Sequence, residues 1–254
     1  VAATGQEWTH NEDRGLFKTT DGGKSWTKVL YIDENTGAYD LVLDPKDPNT
    51  LYCTTWERIR LKWNDPRTSD ATKNSAIWKS TDAGKNWKKI ISGLPAPNRL
   101  GRIGIDIARS NPRVLYAYVD NYEVAYPAKQ GETDSYGRQR KDVIKGATVY
   151  RSDNAGETWN QVSGLTQDQK TFMERHSATY GWVFGQIRVD PNDENTVYTM
   201  GLMLNQSTDG GKTFKSLRGP HVDHHGLWID PSNSNYLLNV QDGGLGISYD
   251  KGQT

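Results

Sequence analysis

Short stretches of alternating apolar and polar residues follow one another along the chain, and residues typical of turns separate them. The stretch Gly15–Lys18 alternates in this way, and so do residues 76–79 and 148–151. Each stretch is followed by a polar turn and then by another alternating stretch, as at residues 26–29. Two such stretches around a tight turn predict a β-hairpin. The hydrophobic pattern therefore predicts an all-β fold of short antiparallel strands.

The turn inside these hairpins has the form Ser/Thr-x-Asp-x-Gly-x-Ser/Thr-Trp, which we call the Asp turn, and the chain repeats it with mild departures. A short Asp or Asn side chain accepts hydrogen bonds from backbone N–H groups two residues on, and Gly supplies a positive φ. The acid position is therefore predicted to form a turn and not to act as a catalyst or metal ligand. That position holds, in chain order, Asp21, Asp82, Asn154, Asp209 and Asp250.

A second turn, with the pair Asp-Pro, lies upstream in most repeats, and Asp-Pro with nearby Asn is again turn chemistry. One copy has Ala108-Arg109 instead, although it keeps the turn and the strand that follows. One repeat thus reads strand, Asp-Pro turn, strand, variable loop, strand, Asp turn, strand, which is the pattern of a β-propeller blade. The pairs are Asp44-Pro45, Asp190-Pro191 and Asp230-Pro231.

The repeats predict one β-propeller segment over residues 1–254. Three complete blades are expected at about 39–92, 103–164 and 185–217, flanked by partial blades at 1–30 and 226–254. Because a closed ring usually needs more blades, we expect a piece of a larger propeller, or two chains' worth of one repeat array. A self-contained ring of five blades is the alternative.

The Asp turn is identified as an Asp-box, or BNR repeat, and the chain resembles β-propellers that carry it. The repeat occurs in sialidases, and the chain resembles, more distantly, sortilin-type and xyloglucanase-type propellers. The sequences of residues 15–26, 221–225 and 241–244 resemble segments of large secreted bacterial proteins labelled glycosyl hydrolases. Sialidase chemistry is disfavoured, because that family opens an arginine trio with Arg-Ile-Pro, and Arg102-Ile103-Gly104 lacks the Pro.

Composition narrows the expected partners. Lys plus Arg and Asp plus Glu are both 31, so the net charge is zero, which argues against a nucleic-acid or anionic-membrane surface. No apolar run is long enough to insert in a membrane. The single cysteine, Cys53, has no partner for an internal disulfide. Nine Trp and 13 Tyr against four Phe fit an extracellular or cell-surface protein that meets carbohydrate.

Strand direction divides the predicted loops between two faces. The Asp-Pro turns and Asp turns fall on one face, here called the turn face, and they are short. All long loops fall on the other, the long-loop face, and function tends to lie on variable loops held by a rigid scaffold. These loops are residues 56–75, 121–146, 164–184 and 217–224.

One segment on the long-loop face is dense in ligand-type side chains. In an extended strand, His221, Asp223 and His225 point the same way, and two imidazoles with a carboxylate suit Zn²⁺ or another divalent ion. The alternative is a hydrogen-bonded histidine network that fixes the loop. No other cofactor is expected.

Catalytic and binding candidates lie around the same mouth of the channel. A glycosidase needs two carboxylates about 5–10 Å apart, and Asp40, Asp223 and Asp242 are the candidates, although Asp242 also suits a turn. Alignment of the innermost strands on their turns places Asp40 and Gln186 at equivalent positions, and likewise Arg102 and His224, as binding candidates. Aromatic rings there would stack on a ligand, or pack the loops. They are Trp56, Trp63, Tyr122, Tyr126, Tyr136, Tyr180 and Trp182.

The expected function is an extracellular or cell-surface module that recognises glycan or protein through the long-loop face and acts as a scaffold. The alternatives are a glycoside hydrolase that acts on a polysaccharide, and a purely structural repeat of a surface assembly. We expect neither nucleic-acid binding nor membrane insertion, and we expect the chain to belong to a larger chain or assembly.

Overall fold

The computed structural model describes residues 1–59, 73–133, 137–140, 142–176, 184–219 and 221–253. In these ranges the chain forms eighteen β-strands and one α-helix, α1 (Gln167–His176). The prediction of an all-β fold is confirmed. The strands are β1 (Ala2–Ala3), β2 (Gly15–Lys18), β3 (Thr27–Leu30), β4 (Thr36–Leu43), β5 (Leu51–Glu57), β6 (Ala76–Ser80), β7 (Lys88–Lys89), β8 (Leu100–Ile107), β9 (Leu115–Pro127), β10 (Asp142–Ser152), β11 (Asn160–Gln161), β12 (Gln186–Asp190), β13 (Asp193–Met200), β14 (Leu204–Ser207), β15 (Lys215–Ser216), β16 (His224–Ile229), β17 (Leu237–Gln241) and β18 (Gly244–Ser248).

The strands form five antiparallel sheets in which neighbours in sequence are neighbours in space. Sheet 1 contains β1–β3, sheet 2 β4–β7, sheet 3 β8–β11, sheet 4 β12–β15 and sheet 5 β16–β18. Sheets 2, 3 and 4 have four strands each, and sheets 1 and 5 have three. The first strands of sheets 2 to 5 lie side by side, β4 against β8, β8 against β12 and β12 against β16. The sheets are therefore arranged around these inner strands.

The hydrophobic core lies between consecutive sheets. On β8, Ile103, Ile105 and Ile107 are buried against sheet 2. The residues between them face sheet 4 instead, because side chains alternate along a strand. At Gly104 the inner strands come so close that a Cβ atom would lie 1.9 Å from the carbonyl oxygen of Gly185. Only glycine fits there.

The outer face of sheet 5 is apolar and exposed. On sheet 4, the corresponding side chains of Tyr198 and Met200 are fully buried against sheet 5. On sheet 5, Trp228 is 47% exposed and Ile247 is 50% exposed. The outer face of sheet 5 is thus apolar like the same faces of sheets 2 to 4, which are buried against the sheet that follows.

The Asp turns share one set of hydrogen bonds. In the fourth turn, Asp209 accepts bonds from the backbone N–H groups of Lys212 at 3.0 Å and Thr213 at 2.9 Å. The first residue, Ser207, donates its hydroxyl to Asp209 at 2.8 Å and accepts the N–H of Gly211 at 2.9 Å. The Asp side chain thus accepts hydrogen bonds from N–H groups three and four residues further along the chain, whereas the sequence predicted a separation of two. The turn needs this reach because its two central residues are left-handed, as Ala83 and Gly84 are in the second copy, with φ of 59° and 85°.

The long loop between β11 and β12 contains helix α1, where the sequence pattern predicts only a loop. Thr166 begins the helix, since its Oγ1 accepts the N–H of Gln169 at 3.3 Å, as an N-cap residue does. Met173 is 6% exposed and packs into the core between sheets 3 and 4. In the described part of the chain, no helix is long and apolar enough to cross a membrane.

Candidate functional site

The buried arginine near the start of β8 is the first feature of the long-loop face. Arg102 is 7% exposed, and its guanidinium carbon lies 3.9 Å from the ring centroid of Tyr39 and 5.6 Å from that of Trp56. Its Nη2 donates to the Tyr39 hydroxyl. Within the described residues, its Nε and Nη1 are buried without a hydrogen-bond partner. Both groups are shielded from solvent, and an unpaired buried donor is costly.

The Asp40 carboxylate links two inner strands. One oxygen accepts the N–H of Leu41 at 3.0 Å, and the other accepts the N–H of Ile105, on β8, at 3.1 Å. Burial raises the pKa of Asp40, and the positive charge of Arg188 opposes this shift. Both oxygens are therefore already used by backbone donors.

A second carboxylate, which the sequence analysis does not select, repeats this arrangement one sheet further. Asp106 accepts the N–H of Ile107 at 2.9 Å and the N–H of Val189, on β12, at 2.8 Å. Burial raises its pKa to about 6, against the opposing charge of Arg188. The sequence marks Asp106 only by its charge, because the equivalent residue on the inner strand of sheet 2 is the apolar Val42. Arg188 is also charged at the equivalent position of sheet 4.

A histidine and a carboxylate form a pair at the long-loop face. His225 Nε2 lies 2.8 Å from Asp242 Oδ1, and their side chains are 42% and 55% exposed. The Phe184 ring packs on the imidazole, with centroids 5.3 Å apart. Asp223 belongs to the same region, because its carbonyl oxygen accepts the N–H of Asp242 at 3.2 Å. The structure thus brings Asp223 and Asp242 together, while Asp40 lies on sheet 2.

The neighbouring histidines have separate surroundings. His224 is buried, its Nδ1 lies 2.8 Å from Asn239 Oδ1, and burial lowers its pKa. His221 Nδ1 lies 3.0 Å from the carbonyl oxygen of Val222. His221 also packs over Gly243, where a Cβ atom would lie 2.7 Å from His221 Cβ.

The histidine segment is not one extended strand. Asp223 has a φ of 68°, and β16 begins only at His224. This corrects the expectation that His221, Asp223 and His225 point the same way as metal ligands, because the left-handed residue reverses the alternation. Among the described residues, no group of three or more His, Cys, Asp or Glu side chains could hold a metal ion.

The predicted aromatic platform is partly buried. Trp56 is 4% exposed and Tyr122 is 3% exposed, so both pack inside the fold, whereas Tyr126 on the β9–β10 hairpin is 44% exposed. Gln186, the first residue of β12, is partly exposed near Gly185. The remaining candidates lie outside the described residues. They are Trp63, Tyr136, Tyr180 and Trp182.

Comparison with solved structures identifies the architecture. The chain superposes on the GH74 xyloglucanase from Xanthomonas campestris with a TM-score of 0.59 and 19% sequence identity, over 95% of this chain and 34% of that one. The fold is a β-propeller. At this identity the likeness shows the fold alone, and it confirms the predicted class.

Comparison of sequences also finds xyloglucanases. A xyloglucanase from Paenibacillus sp is 22% identical over 88% of this chain and 21% of its own length. Xyloglucanase Xgh74A from Acetivibrio thermocellus is 25% identical over 94% of this chain and 27% of its own length. The chain thus spans about a quarter of the length of these relatives. No family model matches the chain.

Proposed function

We propose that this chain is part of a glycoside-hydrolase-like β-propeller that holds a polysaccharide across its long-loop face. The xyloglucanases that it resembles match most of its length, and their name suggests xyloglucan as the first substrate to test. We include an extracellular location and the assignment of the Asp turns as Asp-boxes. We also retain the blade boundaries 39–92, 103–164 and 185–217, with partial blades at 1–30 and 226–254.

The observation that carries the proposal is the His225–Asp242 pair. It is a partly exposed carboxylate held at 2.8 Å by an imidazole, which in turn packs on Phe184. Few polar groups beside apolar rings are typical of a ligand site. Asp223 lies on the adjoining loop, so Asp223 and Asp242 are our candidate acid pair for hydrolysis. Asp40 is assigned a positioning role instead, because backbone donors occupy both of its oxygens.

Recognition without hydrolysis is the second candidate. The engagement of Asp40 by two backbone N–H groups favours it, since that carboxylate is held in place as a link between β4 and β8. If the chain binds glycan without hydrolysis, Arg102 donates hydrogen bonds to sugar hydroxyls. Two of its buried donors have no partner in the described structure. Gln186 and His224 border the same end of the channel, as do Tyr180 and Trp182 by sequence.

The test combines binding with turnover. Isothermal titration with xyloglucan oligosaccharides and a reducing-end assay are run on the chain, on Asp242→Asn and on Asp153→Asn. Asp153 is a matched control, an exposed carboxylate of the turn face that pairs with Arg151 at 2.7 Å. Turnover lost only in Asp242→Asn supports hydrolysis. Binding weakened only in Asp242→Asn, with no turnover in any protein, supports recognition. No binding to xyloglucan or other β-glucans would overturn the proposal.

A further inference from the structure

A core-facing position of the inner strands carries an imidazole in sheet 5. The residues five positions before the turn residues at 44, 108, 190 and 230 are Tyr39, Ile103, Gly185 and His225. In sheet 3 this residue is fully buried against the preceding sheet. His225 also meets the preceding sheet, because the ring of Phe184, just before β12, packs on its imidazole. The imidazole therefore lies on the side of sheet 5 that faces sheet 4, and not on the exposed outer face.

The contact with Asp242 determines which nitrogen of His225 carries a hydrogen. An ionised carboxylate only accepts hydrogen bonds. Nε2, which lies 2.8 Å from Asp242 Oδ1, is therefore the N–H nitrogen of the neutral ring, and Nδ1 keeps its lone pair. Among the described residues, Nδ1 makes no hydrogen bond. The ring thus has one nitrogen held by an acid and the other available to take a proton.

The other histidines whose side chains the structure describes lack this arrangement. His224 Nδ1 faces a neutral amide oxygen, and His221 Nδ1 faces a backbone carbonyl oxygen. His10 Nδ1 lies 3.7 Å from a carboxylate oxygen of Glu34, which is beyond hydrogen-bond distance. Of these four imidazoles, that of His225 is the one paired with a carboxylate at hydrogen-bond distance.

The charges beside His225 favour proton uptake by its ring. Asp242 contacts the imidazole, and the Asp223 carbonyl oxygen accepts the Asp242 N–H at 3.2 Å. Burial lowers the pKa of His224, which favours its neutral form, and His221 is the remaining titratable side chain of the segment 221–225. An acid paired with an imidazole stabilises the imidazolium that forms when the ring takes a proton.

We propose that His225 is the general base of the site and takes a proton from water through Nδ1. Asp242 is then a positioning residue, which orients the ring and stabilises its charged form. This inference rests on the proposed glycan hydrolysis and refines it, because the proton-transfer group becomes an imidazole and not the Asp242 carboxylate. A positioned base of this kind contributes about 10²–10⁴-fold to a rate.

The proposed step adds one water molecule to a glycosidic bond. The water oxygen forms a bond to the anomeric carbon while one of its protons passes to His225 Nδ1. The bond from that carbon to the leaving oxygen breaks, and its electron pair goes to the oxygen, which takes a proton from a general acid. Asp223 is our candidate for that acid. His225 then releases its proton to solvent and the acid regains one, so the configuration at the anomeric carbon is inverted.

The test separates an imidazole base from a carboxylate base. A reducing-end assay with xyloglucan oligosaccharides gives kcat and KM for the chain, His225→Ala, His225→Gln and His10→Ala, with and without added imidazole. Both His225 variants should lose about 100-fold or more in kcat with little change in KM. Imidazole should restore part of the turnover of His225→Ala. His10→Ala is the matched control, an exposed histidine, and it should turn over like the parent.

A further variant and three outcomes complete the test. Asp242→Asn should also lose kcat, and imidazole should not restore it, because the native ring still fills the site. Turnover close to that of the parent in both His225 variants overturns the inference and leaves hydrolysis by carboxylates in place. A loss in both that imidazole does not reduce makes His225 structural, which also overturns it. Absence of turnover in the parent overturns hydrolysis together with this role, and oligosaccharide binding then supports recognition alone.

Discussion

The Asp106 carboxylate accepts the backbone N–H of Val189 at 2.8 Å and so ties the inner strand of sheet 3 to that of sheet 4. Asp40 does the same between sheets 2 and 3, through the N–H of Ile105 at 3.1 Å. Among the residues that the structure describes, the inner strands of neighbouring sheets share no ladder of backbone hydrogen bonds. Acidic side chains therefore supply polar links where the hydrophobic core of the blades meets the channel.

The first prediction concerns pH. Because burial raises the pKa of Asp106 to about 6, the folded state binds more protons than the unfolded state between about pH 4 and 6. The stability contributed by this group is complete below pH 4 and is lost as pH rises through 6. The free energy of unfolding of Asp106→Asn, relative to the parent, should rise by about 2–3 kcal/mol between pH 4 and 7.5. Urea unfolding at both pH values measures this, and a constant difference would contradict it.

The second prediction concerns the Asp turns. Asp209→Ala removes the acceptor for Lys212, Thr213 and Ser207 and should lower the free energy of unfolding by about 1–3 kcal/mol. Asp209→Asn should cost less than about 1 kcal/mol. The chain already contains an Asn at this position, because Asn154 accepts the N–H of Thr158 at 2.9 Å in the third turn. Equal losses in the two variants would show that charge, and not the acceptor, holds the turn.

The third prediction concerns the close approach of the inner strands. Gly104→Ala should destabilise the fold by about 3 kcal/mol or more, because its Cβ would lie 1.9 Å from the Gly185 carbonyl oxygen. Gly226 holds the equivalent position on β16, where a Cβ would lie 3.8 Å from Val240. Gly226→Ala should therefore be neutral or stabilising. Thermal unfolding of both variants separates a local clash from a general intolerance of alanine.

The fourth prediction separates stability from binding at Arg102. Two of its nitrogens are buried without a partner in the described residues, so Arg102→Met should change the free energy of unfolding by no more than about 1 kcal/mol. If the guanidinium binds sugar, the same variant should lose oligosaccharide affinity about tenfold. Arg113→Met, on the turn face, serves as the control. A loss of stability above about 3 kcal/mol with unchanged affinity would make Arg102 structural.

Local patterns predict most of the strands and turns of this fold. Alternation at Gly15–Lys18 and the repeated turn chemistry at Asp21 and Asp209 depend on residues close in sequence, so the hairpins follow directly. The sequence pattern does not predict helix α1, because its polar sequence, Gln167–His176, resembles loop composition. Its stability depends on Met173 reaching the core between sheets 3 and 4, which is a tertiary effect.

The candidate site was less predictable, because it depends on which residues the blades bring together. The pairing of His225 with Asp242 joins β16 to the turn after β17, and the sequence contains both residues without indicating that they meet. The common direction expected for His221, Asp223 and His225 fails at one left-handed residue. Spacing along one strand does not indicate the role of Asp106, because that role requires the N–H of Val189 on the next sheet.

Hydrogen exchange can show whether a glycan lies on the long-loop face. Amide exchange is measured by mass spectrometry with and without a saturating xyloglucan oligosaccharide. We predict slower exchange in residues 221–226 and 241–244, with no change in the Asp turns at 80–87 and 207–214. Slower exchange confined to the turn face, or no change anywhere at a concentration where calorimetry detects binding, would contradict it.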